Sequence, residues 1–120
     1  MNFIDPATLQ LVSRALDAGA LRHQAIAQNI ANANVAGARA TRVQFEELLG
    51  TVQTEVAAGR SFKAEDVPMP LVTVQAEGQP IALDTEMAAL SSNSLQYQAL
   101  LRAVGKQLSI LGVALQEGRR

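Results

Sequence analysis

Few residues in this chain could carry covalent or metal chemistry. There is no cysteine, and His23 is the one histidine. A metal centre needs three or four convergent nitrogen, sulfur or oxygen ligands. His23 has no second histidine or thiolate to complete such a set, so it reads as a packed or interfacial side chain. Asp84 and Glu86 could pass for a pair of catalytic carboxylates, but residues two apart on a helix do not face each other. They read instead as a helix N-cap and a first-turn acid. Tyr97, the one tyrosine, falls on an apolar stripe, where a ring packs and its hydroxyl reaches an interface. The spacings of a phosphate loop, a nucleophile elbow, a zinc-protease helix and a paired-thiol motif are all missing. The expectation is a protein that is not an enzyme, with no metal, no cofactor and no small-molecule substrate.

The remaining polar residues suit recognition. Asn29 sits within a helical pattern, where asparagine is unfavourable unless its amide finds a partner, and a hydrogen bond between subunits would supply one. Asn32 and Asn34 lie where that helix should end. A net charge of -1 gives none of the basic excess that drives nucleic-acid binding, so nucleic acid is excluded as a partner. The 120 residues fit one domain, but 21 are alanine and four are aromatic, so a thick core is not expected. Met1-Asn2-Phe3-Ile4-Asp5-Pro6 has no basic flank leading into an apolar stretch, and a cleavable signal peptide is not expected.

These residues must be positioned by two long helices. Asp5 followed by Pro6 forms an N-cap and first-turn proline. Leu9, Val12, Leu16, Gly19, His23, Ile26, Ile30 and Ala33 then alternate in steps of three and four, predicting a helix from residue 6 to about residue 33. At the other end, Met87, Leu90, Ser94, Tyr97, Leu101, Val104, Leu108, Leu111 and Leu115 keep the same alternation over about four heptads. Asp84 is its expected N-cap, and Lys106, Arg119 and Arg120 place positive charge toward its C-terminus. Thr41-Arg42-Val43-Gln44 fits a capping box opening a short helix with Phe45, Leu48 or Leu49, Val52 and Val56 on one face, and Gly50 as an early stop. Residues 59 to 82 hold Pro68, Pro70 and Pro80 around Leu71-Val72-Thr73-Val74, which predicts an irregular loop or a small β-hairpin.

The fold expected is therefore mainly α, in one domain of three parts. An N-terminal helix and turn occupy 1–40, a middle region 41–82, and a C-terminal helix 83–120. The two long stripes are each too narrow to be buried alone and should pair as an antiparallel coiled-coil-like unit. The middle, with six acidic and three basic residues, should be an outward, solvated loop region.

Residues 24–38 and 87–101 contain no charge at all. Surface helices of monomers carry charges on their outer face, so uncharged runs of Ala, Ser, Asn and Gln point to burial against other chains.

The run Ile26-Ala27-Gln28-Asn29-Ile30-Ala31-Asn32-Ala33-Asn34 resembles the N-terminal signature of bacterial flagellar rod and hook axial proteins. Asn93-Ser94-Leu95-Gln96-Tyr97-Gln98-Ala99-Leu100-Leu101, followed by Lys106-Gln107-Leu108, is similar to the C-terminal helix of that family's proximal rod subunits. Ile81-Ala82-Leu83-Asp84-Thr85-Glu86-Met87 resembles the approach to that helix, and Val43-Gln44-Phe45-Glu46-Glu47-Leu48-Leu49 the segment after the signature turn. Where the family continues with T-P-G-Y, this chain has Val35-Ala36-Gly37-Ala38, keeping only the glycine.

The resemblance implies a structural subunit of the proximal rod in the flagellar basal body, assembling through its terminal helices to transmit torque across the periplasm. It further implies copies of itself, other rod subunits and the adaptor to the membrane ring as partners, and delivery by the type III export apparatus. The residues expected at the assembly interface are Leu16, Ile26, Asn29, Ile30, Asn32, Asn34, Gly37, Asn93, Tyr97, Leu101, Val104, Leu108 and Leu111. The competing reading is a small helical adaptor or chaperone-like module whose seam receives a client helix.

Overall fold

The computed structural model describes residues 5–118; Arg119 and Arg120, expected near the end of the C-terminal helix, lie outside the described residues. Helix α1 spans Pro6–Ala31, with Pro6 in its first turn and the Asp5 carboxylate accepting from the Ala7 amide at 3.2 Å. It stops two residues short of the expected end, at Asn32, whose amide donates to Gln28 O and Asn29 O. Gly37 then adopts φ +78°, a left-handed conformation that glycine enters at no steric cost. Gly37 is the one residue this turn shares with the T-P-G-Y pattern of the axial proteins that the sequence resembles.

Strand β1 is Thr41–Gln44, helix α2 is Gly50–Ala57, strand β2 is Leu71–Val74, and helix α3 is Leu83–Glu117. Single 3-10 turns lie at Glu46–Leu48 and Ala64–Asp66. The molecule is mainly helical, with long helices at both ends and a small antiparallel sheet in the middle. Two local expectations give way here. Thr41–Gln44 is extended rather than a capping box, because its β-branched residues pair with β2 in the register Thr41↔Val74 and Val43↔Val72. Gly50 opens α2 instead of ending a longer helix. The strands also come from distant segments, so β2 is not half of a local hairpin.

The core lies between α1 and the middle region. Ala7, Ala18 and Ala25 pack with Val43, Phe45, Val52, Phe62 and Val67, with Leu11, Ala15, Leu21 and Leu49 around them. The middle region thus folds back onto α1 rather than standing out as a solvated loop. Its three basic and six acidic side chains ride on a segment that supplies most of the large buried groups. Close approach is possible because the facing stripe of α1 is largely alanine, whose small side chain lets Phe45 and Phe62 reach the helix surface.

Helix α3 packs on α1 in antiparallel sense: Asn93 meets Gly19, whereas Glu86, earlier in α3, meets Asn29, later in α1. At 1.5 Å per residue its 35 residues run about 50 Å. No described helix is long and apolar enough to cross a membrane.

Candidate assembly interface

The buried residues of α3 are Glu86 and Asn93, both polar. Glu86 is 1% exposed and accepts from both terminal nitrogens of Arg42, with Arg42 Nη1 to Glu86 Oε2 at 3.0 Å. Asn29 Nδ2 donates to Glu86 Oε2 at 3.1 Å and to Thr41 O at 2.9 Å, while Asn29 Oδ1 accepts from Thr41 N at 2.8 Å. One amide therefore joins the end of α1, the start of β1 and the start of α3. The Arg42 hydrogen bonds, helped by Asn29 and opposed by burial, hold the Glu86 carboxyl below the usual glutamate range. The fork of Arg42 matches a carboxylate with two parallel bonds, the geometry that makes a desolvated ion pair tolerable.

Asp84 is not the N-cap expected for α3. Ala82 occupies that position, and the Asp84 carboxylate accepts from the adjacent Thr85 amide. Glu86 is likewise more than a first-turn acid. Asn29, expected to bond a neighbouring subunit, has both donors and its oxygen engaged within the chain.

Two turns farther along, Asn93 Nδ2 donates to Gly19 O at 3.0 Å. This contact requires the helices to touch at Gly19. A Cβ there would lie 2.7 Å from Cδ2 of Tyr97, inside van der Waals contact. Gly19→Ala is therefore expected to lower stability by about 1–3 kcal/mol through overpacking. In a Tyr97→Ala background the same change should be neutral or stabilising, since alanine is the better helix former by about 1 kcal/mol. Urea denaturation of the four proteins measures this coupling.

The other expected interface residues divide by exposure. Ile26 is buried, while Leu16, Ile30, Tyr97, Val104 and Leu111 are half-buried. Asn32, Asn34, Gly37, Leu101 and Leu108 are exposed. The heptad of α3 explains this division. Leu90, Tyr97, Val104 and Leu111 share one heptad position and are half-buried, with Glu86, Asn93 and Leu100 beside them on the side toward α1. Met87, Leu101, Leu108 and Leu115 share the neighbouring position and are exposed, Leu108 by 60%. Ile110 and Val113 add exposed apolar surface to the same end of α3. The chain thus satisfies one side of its own seam and leaves the other open.

Gly19, Arg22, Arg42 and Glu86 were not among the expected interface residues. Arg22 Nη2 donates to Val43 O at 3.0 Å and to Glu46 Oε2 at 2.9 Å. Burial raises the Glu46 pKa, but the Arg22 hydrogen bonds, a backbone hydrogen bond and the Arg22 charge together outweigh it, and the net displacement is downward. The partners in these pairs lie 21 to 74 residues apart, so no short motif marks them. Among the described residues no group of three His, Cys, Asp or Glu could hold a metal ion.

No family model matches the chain. It is 28% identical over 131 residues to the flagellar basal body rod protein FlgB of Salmonella typhimurium strain LT2, spanning 93% of this chain and 95% of that protein. The Escherichia coli K12 FlgB gives the same figures. FlgB of Bacillus subtilis strain 168 is 26% identical over 123 residues, again across 93% and 95% of the two chains. Similarity to flagellar basal body rod proteins named FlgB thus runs through nearly the whole of each chain, from organisms as distant as Bacillus and Salmonella.

Proposed function

We propose that the chain is a structural subunit of the flagellar proximal rod, assembling through its terminal helices and transmitting torque across the periplasm. The observation that carries this is the open column Met87, Leu101, Leu108 and Leu115 on α3. A helix displaying one unburied heptad position has half of a coiled-coil seam and needs a second helix to complete it. Neighbouring copies and other rod subunits supply such helices, and the adaptor to the membrane ring is the expected contact at the rod's inner end. The reading includes delivery of the chain by the type III export apparatus. The clasp at Asn29, Arg42 and Glu86 then serves assembly indirectly, by fixing α3 on α1 so that the column points in one direction.

Deletion of the gene should abolish rod formation and swimming, and expression of the wild-type chain should restore both. Normal rods and motility in the deletion strain would defeat the proposal.

A further inference from the structure

The two-stranded ribbon has one closed edge and one open edge. Gln75 N donates to Ala40 O at 2.9 Å, and bonded pairs alternate along an antiparallel ladder. Arg42 with Thr73 and Gln44 with Leu71 are therefore bonded pairs, while Thr41, Val43, Val72 and Val74 turn their backbone N–H and C=O groups outward. On the β1 side α1 closes the edge: Asn29 takes both backbone groups of Thr41, and Arg22 donates to Val43 O. On the β2 side no described residue outside the ribbon bonds Val72 or Val74, and both side chains are more than half exposed.

An open edge is a template for another strand, and proteins usually protect it with charge, a bulge or a cover. Residues 67–76 contain no charged residue. Pro70, which has no N–H to offer, limits the edge at one end and leaves Val72 and Val74 as its usable groups.

We propose that β2 pairs with β2 of a second copy of this chain, antiparallel about a two-fold axis at Thr73, giving a four-stranded sheet. In this register Val72 faces the partner's Val74 and Val74 faces the partner's Val72. These are the residues whose backbone groups point outward, so each of the two pairs exchanges both bonds. A second copy is the occupant the strand itself favours, since its outward groups are self-complementary at this register and no like charges meet across the axis. The closed β1 edge also prevents head-to-tail addition, so pairing ends at two copies. With so short an edge, the dimer belongs to the weak, transient class.

Sedimentation equilibrium of the full chain carrying Leu108→Asp, which removes association through α3, tests the proposal from micromolar to about millimolar concentration. A monomer–dimer equilibrium is expected. Adding Val72→Lys with Val74→Lys places lysine opposite lysine in both pairs and should weaken dimerisation at least tenfold. Adding Val72→Lys with Val74→Glu places lysine opposite glutamate and should restore it. A chain monomeric at every concentration overturns the proposal. So does a dimer indifferent to the paired lysines, or one that both double variants abolish equally.

Discussion

Leu108→Asp is expected to leave the free subunit folded and to abolish its incorporation into rods. The side chain is 60% exposed in the isolated chain, so an aspartate there remains hydrated. Surface substitutions of this kind usually change stability by no more than about 0.5 kcal/mol. Inside a completed seam the same carboxylate loses its water without gaining a partner, at a cost of several kcal/mol repeated at every subunit. Leu101→Asp should behave alike, because Leu101 occupies the same heptad position one repeat earlier. Glu65→Ala, on an exposed side chain of the middle region, should assemble normally. Circular dichroism of the free chains and recovery of each variant in purified basal bodies separate folding from assembly.

The second large effect concerns the clasp. Arg42→Ala leaves Glu86 buried with only the Asn29 amide as a partner. Breaking a buried pair typically costs about 3–5 kcal/mol. The Arg42 side chain is 36% exposed, so water can replace part of its charge and a loss of about 2–3 kcal/mol is expected. Replacing both partners, Arg42→Met with Glu86→Leu, removes the stranded charge and should recover most of that loss. The pair also gives an acid signature. Because the folded Glu86 carboxyl is held below its ordinary value, its contribution is complete above the unfolded pKa of about 4.3. It is lost as pH falls through the lower folded value. Wild type should therefore lose stability more steeply below about pH 4 than the Arg42→Met, Glu86→Leu protein does, as read by urea midpoints across that range.

What the sequence disclosed and what it concealed follow from the range of the interactions. Helix α1 announces itself through Asp5, Pro6 and the three-four alternation, and α3 through nine residues of unbroken heptad. Both signals are local. The second buried face of α1, built on Ala7, Ala18 and Ala25, was hidden because alanine is spread over every face of this helix and marks none of them. Its partners Phe45 and Phe62 are visible as apolar residues, but nothing local says that they return to α1. Thr41–Gln44 misled for a related reason: a threonine followed three residues later by glutamine fits a helix start, while the strand that claims it lies about 30 residues away at Leu71–Val74. The heptad of α3 was legible as a whole. Which of its two apolar positions the chain would cover depended on Glu86 and Asn93, polar residues that a search for apolar stripes passes over.

In the proposed rod, the side of the α3 seam that the chain leaves open is completed by neighbouring subunits. Amide hydrogen exchange over α3, compared between free subunits and subunits in purified basal bodies, reads this closure. Residues 86–97, clasped to α1 at Glu86 and Asn93, should be protected in both states. Residues 101–117 should exchange rapidly in the free chain and slowly in the rod. Equal protection of residues 101–117 in the two states would mean that the open column takes no part in assembly.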